Sequence, residues 1–286
     1  MDKKYRFLMV QPFHIAKDSQ YLTWNVEGKK EERLMNYYNL NLGPLLEDVE
    51  WEIHPGPKAP YGDWPVENRE EFALVAAARL AIVKEACQSG EWNAIILLGG
   101  GEPGVMECKE IGKRYGIPVT SCAWAQMQVA CMLGNKFSVI DLTESHNMYY
   151  YNLVVQHHMT HRCASIRNIN YPMHRPGGVN ERDLPAEKEK ALRGEFSQGV
   201  EDAVNAAVAA IQEDGAEVIT FGCSGTYWLS SFVRDRLHEM GWDVPVLEGY
   251  SCAIELAKLM VDLGVDASGL WFPPDNPKQW RAKKVF

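Results

Sequence analysis

Short apolar runs alternate with longer amphipathic stretches along most of the chain. Apolar runs suited to strands lie at residues 5–10, 93–98 and 216–221, and residues 72–87 and 200–211 have the apolar spacing of amphipathic helices. Strands that alternate with helices are typical of parallel sheets with helices on both faces. The pattern therefore predicts an α/β protein.

A weak internal repeat divides this pattern into two copies, which run from Asn93 to Gly134 and from Ala216 to Gly264. Each copy has a strand, a glycine-rich turn, a helix, a Pro-Val strand and a second helix. We predict two similar domains, one formed by residues 1–133 with 250–286 and the other by residues 134–249. Since ligands of open α/β sheets bind at the carboxyl ends of the strands, we expect the active site in the cleft between the domains.

Composition narrows the class of partner. The chain has 286 residues and a net charge of −9, which disfavours nucleic acid as a partner. No uncharged apolar run approaches the roughly 18 residues of a membrane span, and no export signal is visible. The seven cysteines are odd in number and contain no Cys-x-x-Cys pair. We therefore expect a cytoplasmic protein with reduced thiols, without membrane contact or structural zinc.

The turn of the second copy, residues 222–225 (the second glycine turn), carries Cys223 directly after a strand. We predict that this thiol faces the N-terminus of a helix, whose unpaired N–H groups favour a thiolate and hold a carboxylate or enolate oxygen. Cys223 is thus a candidate acid, base or nucleophile, with Ser224, Gly225 and Thr226 as substrate contacts. The alternative is a small buried cysteine in a tight turn.

The turn of the first copy consists of Gly99, Gly100 and Gly101 (the first glycine turn), and Glu102 follows it. It lacks the Gly-Lys-Ser/Thr ending of a phosphate-binding loop. We predict that its N–H groups hold a substrate oxygen, or that the glycines leave room for a bulky substrate. Glu102 is either a catalytic base or an acidic residue in the first turn of a helix.

Other candidates follow the remaining strands. Further substrate contacts are predicted at Gln11, Phe13, Ser121, Cys122 and Trp124, and Cys122 and His14 join Glu102 as possible second acid/base groups. His157, His158 and His161 have helical spacing, but no acid-rich strand accompanies them. We interpret these three histidines as a solvated helix face and predict no metal site.

Two pairs of segments resemble the aspartate/glutamate racemase superfamily, and within it the hydantoin racemase branch. They are "VITFGCSGTYWL" with "VPVLEGYSCAIELAKLMVDLG", and "AIILLGGGEPGV" with "GIPVTSCAWAQMQVACMLGNKFSVI". The resemblance covers residues 68–145 and 198–268 and the opening strand. It implies two facing α/β domains and cofactor-free acid–base chemistry on a small carboxylate- or carbonyl-containing substrate. We also expect a homo-oligomer, with residues 14–66 as a lid or an oligomer contact.

The chain departs from this family at one catalytic position. Two-base members place one cysteine from each domain on either side of the substrate carbon; Cys223 matches the second, whereas Gly99 or Gly100 stands at the first. The resemblance implies a hydantoin or amino-acid racemase-like isomerase whose second base is not a cysteine. The alternatives are a single-cysteine lyase similar to arylmalonate decarboxylases, a hydrolase with Cys223 as nucleophile, and a binding module that keeps the cleft without catalysis.

Overall fold

The computed structural model describes residues 4–21, 40–178, 182–273 and 275–283 and contains two parallel sheets. The first has the order β2-β1-β3-β4, with β1 at Tyr5–Val10, β2 at Val49–His54, β3 at Ala94–Leu97 and β4 at Val119–Ser121. The second has the order β6-β5-β7, with β5 at Phe137–Asp141, β6 at Cys163–Asn168 and β7 at Val218–Phe221. Every pairing is parallel, and the predicted fold class is confirmed.

Nine α-helices lie in the described part of the chain. They are α1 (Gly43–Leu46), α2 (Arg69–Ser89), α3 (Val105–Tyr115), α4 (Cys122–Leu133), α5 (Glu144–Gln156), α6 (Leu184–Leu192), α7 (Gln198–Gln212), α8 (Leu229–Glu239) and α9 (Gly249–Leu263). The longest, α2, begins at a capping box formed by Asn68 and Glu71 and ends at Gly90, whose φ of 70° suits a helix terminus. No helix of these residues is both long and apolar enough to cross a membrane.

The two sheets are joined through α4 and α9. Helix α4 follows β4 directly and leads into β5, so it connects one sheet to the other. Helix α9 returns to the first sheet, where the Thr120 hydroxyl donates to the Ala253 carbonyl oxygen at 3.0 Å. Strands β3 and β7 are buried along their whole length, as expected of strands covered on both faces. This arrangement brings the carboxyl ends of both sheets to one region.

Three segments differ from the sequence prediction. Residues 14–66, expected as a lid or an oligomer contact, include β2, which pairs with β1 at the edge of the first sheet; residues 22–39 lie outside the described residues. Residues 171–195 are rich in proline, glycine and charged residues, which predicts a surface connection, but they contain helix α6. The Pro-Val segment of the second copy makes only one bridge, between Ile219 and Val246. Pro245 has no N–H to donate, so it pairs with β7 through its carbonyl oxygen, which accepts from the Ile219 N–H at 2.9 Å.

Candidate active site

A cavity of about 850 Å³ lies where the carboxyl ends of the two sheets meet. Its walls include residues 11–15 after β1, the first glycine turn after β3 and residues 223–225 of the second glycine turn. A volume of this size is typical of small-molecule sites. The rest of the wall is largely apolar and includes the side chains of Phe72, Leu142, Tyr171, Met173 and Trp228.

The two glycine turns contact each other directly. A Cβ atom on Gly100 would lie 1.6 Å from the Gly222 carbonyl oxygen, so only glycine fits there. Gly99 has a φ of 95°, and its Cβ would lie 2.8 Å from the Pro12 Cγ atom. Neither position can therefore hold a cysteine without a shift of the backbone.

Cys223 is 7% exposed and lies in the cavity wall. Its N–H donates to Asp141 Oδ1 at 3.0 Å, and the Gly225 N–H approaches its Sγ at 3.4 Å. The thiol lies at the start of a helix, as expected, but that helix is short. Only a single 3₁₀ turn, Ser224–Thr226, follows Cys223, and α8 begins at Leu229.

His146, in the first turn of α5, is a wall residue that the sequence analysis missed. Its Nδ1 lies 2.8 Å from Asp141 Oδ2, at the buried end of β5, and the ring lies in the cavity wall together with Cys223, with which it interacts electrostatically. Burial alone would lower the pKa of His146, but the neighbouring Asp141 and Cys223 more than offset it and hold that pKa well above its ordinary value. Asp141, His146 and Cys223 therefore form one interacting row in which Asp141 binds both the His146 ring and the Cys223 N–H, with the thiol at the cavity.

Asp141 is held rigidly, which fixes the row. Its Oδ1 accepts from the Leu142 N–H at 2.8 Å as well as from Cys223. A Cβ on Gly222 would lie 2.4 Å from the Asp141 Cγ atom, so glycine is required there for the carboxylate to fit. A polar pattern could have indicated this dyad, since Asp141 ends an apolar run and His146 follows five residues later.

Several other predicted residues lie at the cavity. Gln11, Phe13 and His14 line it from the first domain, and Ser224 and Gly225 line it from the second. The Nδ1 atom of His14 lies 3.0 Å from the Gly56 carbonyl oxygen. Because a carbonyl only accepts, Nδ1 carries the hydrogen, and Nε2 of the neutral ring keeps its lone pair.

Five predicted contacts do not belong to the cavity wall: Glu102, Ser121, Cys122, Trp124 and Thr226. Four of them, all except Ser121, make contacts inside the protein instead. The Cys122 thiol points to the Leu97 carbonyl oxygen at 3.4 Å, and the Thr226 hydroxyl donates to the Cys223 carbonyl oxygen at 2.6 Å. Ser121 is buried before α4, and the Trp124 ring lies under the Lys109 ammonium group.

Glu102 lies in the core between the domains. One carboxylate oxygen is 2.9 Å from His157 Nε2, and the other accepts from the Trp124 N–H at 2.8 Å. Burial alone would raise the pKa of Glu102, but these two partners hold it below its ordinary value. His157, expected on a solvated face, is instead buried by this contact. In the described residues, no group of three or more His, Cys, Asp or Glu side chains could hold a metal ion.

Comparisons with known proteins match this architecture. A family model described as Asp/Glu/Hydantoin racemase matches residues 65–257. A hydantoin racemase from Paenarthrobacter aurescens is 28% identical over 203 residues, which cover 71% of this chain and 76% of that protein. The crystal structure of an allantoin racemase from Pseudomonas fluorescens has a TM-score of 0.65 at 22% identity and covers 96% of this chain and 100% of that one. Unliganded arylmalonate decarboxylase is more distant, with a TM-score of 0.52 and 10% identity over 90% of this chain and 92% of that one. The two structural matches show a shared fold.

Proposed function

The chain belongs to the Asp/Glu/hydantoin racemase family, as the sequence resemblance predicted, and we propose that it is a racemase-type isomerase in which Cys223 transfers the proton. The reaction takes place at a carbon α to a carbonyl of a small substrate similar to a hydantoin or allantoin. One observation carries the proposal: the row Asp141, His146, Cys223 ends in a thiol on the cavity wall. No cofactor is needed for this chemistry.

The row explains how a thiol works as a base near neutral pH. A protonated His146 places a positive charge beside the Cys223 sulfur, where it stabilises the negative charge that develops during proton transfer. Asp141 keeps the imidazolium charged and oriented. The thiolate takes the α-proton from one face of the substrate, and the thiol returns a proton in the reverse direction.

The opposite face needs a second group, since Gly99 and Gly100 carry no side chain. Of the three predicted candidates, Glu102 and Cys122 lie away from the cavity, whereas His14 lines it from the first domain. We assign the second acid/base role to His14, whose Nε2 is left as the acceptor by the contact of Nδ1 with Gly56. A thiol from one domain and an imidazole from the other then replace the family's two thiols.

The first glycine turn supplies backbone groups to the same reaction. Within the described residues, the N–H groups of Gly100 and Gly101 donate no hydrogen bond to the protein. Unpaired N–H groups at a cavity stabilise the negative charge that develops on a carbonyl oxygen when the α-proton leaves. We therefore assign the enolate oxygen to this turn.

The experiment is to incubate each enantiomer of 5-benzylhydantoin and of allantoin with the protein and follow optical rotation. In D₂O, NMR follows the loss of the α-proton. We expect Cys223-dependent exchange on at least one substrate. The matched control is Cys131→Ala, a half-buried thiol outside the cavity wall. If a folded Cys223→Ala variant exchanges the α-proton of both enantiomers at the wild-type rate, the proposal fails.

A single-cysteine lyase is a second candidate, favoured by the lack of space for a thiol at Gly99 and Gly100. In this reaction a C–C bond of a malonate-type substrate breaks, carbon dioxide leaves, and the bonding electrons remain as an enolate. Cys223 then protonates that carbon from one face. Release of carbon dioxide from phenylmalonate with a product of one handedness would support this reading; no release would exclude this substrate class.

A further inference from the structure

The row Asp141, His146, Cys223 has more parts than proton transfer by a thiol requires. A nucleophile, a base bonded to it and a carboxylate that orients the base are the three parts of a covalent triad. Here the base–carboxylate distance is 2.8 Å, and both Cys223 and His146 reach the cavity wall. The Asp141 carboxylate also binds the Cys223 N–H, so nucleophile and base are held by one group.

The space beside this row fits an acyl group. Five apolar side chains surround it: Phe13, Phe72, Leu142, Met173 and Trp228. A cavity of about 850 Å³ is far larger than an acetyl group needs. Since apolar pockets discriminate by the area they bury, these walls favour an aryl or long acyl chain over a short one.

The third requirement of acyl transfer is a set of donors for the oxyanion. The N–H groups of Gly100 and Gly101 donate no hydrogen bond within the described residues, and both glycines line the cavity. Gly100 packs against Gly222 and Cys223, which places this turn next to the nucleophile. Backbone N–H groups in such a position stabilise a tetrahedral intermediate.

We propose that Cys223, His146 and Asp141 also act as a nucleophilic triad that hydrolyses esters and activated amides with a large apolar acyl group. The Cys223 thiolate attacks the acyl carbon and forms a C–S bond, and the carbonyl π electrons move to oxygen. When the carbonyl re-forms, the C–O or C–N bond breaks, and the leaving alcohol or amine takes its electron pair and a proton from His146. Water, deprotonated by the now neutral His146, attacks the thioester. The C–S bond then breaks, its electrons return to sulfur, and the carboxylic acid leaves.

The test uses p-nitrophenyl phenylacetate and p-nitrophenyl acetate with the full chain. We expect a phenylacetyl adduct on Cys223 by peptide mass spectrometry, continued release of p-nitrophenolate, and a preference of about 10-fold or more for the larger acyl group. His146→Gln and Asp141→Asn should each slow turnover by a factor of about 10² or more. Asp141→Asn keeps an oxygen acceptor for the Cys223 N–H, so this variant provides the test of the triad if His146→Gln fails to fold. Cys131→Ala should behave as wild type.

Absence of a Cys223 adduct, an adduct that never turns over, or wild-type turnover by both triad variants would overturn this inference. Exchange of the α-proton, measured on the same protein batch, separates it from the proposed function. Exchange without acylation overturns only the hydrolytic activity. Acylation with turnover but without exchange supports the triad and overturns only the isomerase.

Discussion

The two glycine turns occupy equivalent places in the two sheets but carry different chemistry. The first, after β3, presents only backbone at the cavity. The second, after β7, carries Cys223, and its neighbour β5 supplies Asp141, which in turn holds His146 from α5. The side-chain chemistry is thus concentrated in the second domain, and the first contributes N–H groups and His14.

The contact between the turns explains why this asymmetry is built into the backbone. The Gly222 carbonyl oxygen occupies the position that a Gly100 side chain would need. Gly99 is held at a positive φ beside Pro12. Restoring a thiol on the first side therefore requires more than one substitution, and a Gly99→Cys or Gly100→Cys variant should fold poorly rather than gain two-thiol racemisation.

The largest effect is expected for Cys223→Ala, which removes the side chain that we propose as the acid/base of the second glycine turn. Turnover should fall by a factor of about 10² to 10⁴, because no other thiol lies in the described cavity wall. Thermal stability should change little. Cys108→Ala and Cys131→Ala, which lie in or beside helix packing, should keep wild-type turnover. Circular dichroism verifies that each variant is folded. Loss of turnover in either of these two controls would contradict the assignment to Cys223.

His146→Gln tests whether the second turn depends on its imidazolium. Because the pKa of His146 is raised, the ring is protonated at neutral pH and loses its proton as pH rises through that value. The activity of the wild-type protein should therefore fall as pH rises through this pKa. The variant should be about 10²-fold slower, and its rate–pH profile should no longer show this fall at alkaline pH. The free energy of unfolding should depend on pH in the same direction. The contribution of His146 to it is complete below the ordinary pKa of 6.5 and is lost as pH rises through the raised pKa of the folded protein. An unchanged rate–pH profile in the variant would rule His146 out.

Gly100→Ala tests the contact between the turns. The added methyl group would overlap the Gly222 carbonyl oxygen, so the free energy of unfolding should fall by about 1–3 kcal/mol or more. Gly225→Ala is the matched control, since its nearest neighbour would be 3.6 Å away, at ordinary contact distance. Urea unfolding of both variants measures the difference. Equal stability would show that the turns are farther apart than described.

Glu102→Gln has the smallest expected effect on catalysis, because its carboxylate contacts His157 and Trp124 rather than the cavity. Stability should fall by about 1–3 kcal/mol at pH 7 from the weakened buried hydrogen bonds. Because the pKa of Glu102 is lowered in the folded protein, its contribution to the free energy of unfolding is present above the ordinary pKa of 4.5. That contribution is lost as pH falls through the lowered pKa of the folded protein. The gap in melting temperature between wild type and variant should therefore narrow on acidification. A 10²-fold loss of turnover with intact stability would instead restore Glu102 as a base.

The sequence predicted those features that local pattern determines. Alternating apolar periodicity indicated parallel sheets, and the Gly-Cys-Ser-Gly turn pointed to Cys223, which lies in the cavity wall. The His146–Asp141 dyad escaped because it reaches Cys223 only through strand pairing, and Asp141 and Cys223 are 82 residues apart. Glu102 was expected at the cavity because nothing local indicates that His157, 55 residues away, lies beside it in the core. Long-range contacts decide which polar side chains reach the cavity.

We propose that Cys223 and His14 act on opposite faces of the substrate carbon. The partial reactions of two variants in D₂O test this proposal most directly. With each pure enantiomer of an accepted substrate, NMR and chiral chromatography record α-proton exchange and inversion separately. We expect His14→Gln to exchange one enantiomer with retention, through Cys223, and Cys223→Ala to exchange only the opposite enantiomer, while both variants lose inversion. Wild-type protein should perform both exchanges and interconvert the enantiomers. If His14→Gln still inverts both enantiomers at the wild-type rate, or if both variants exchange the same enantiomer, the two-sided account is wrong.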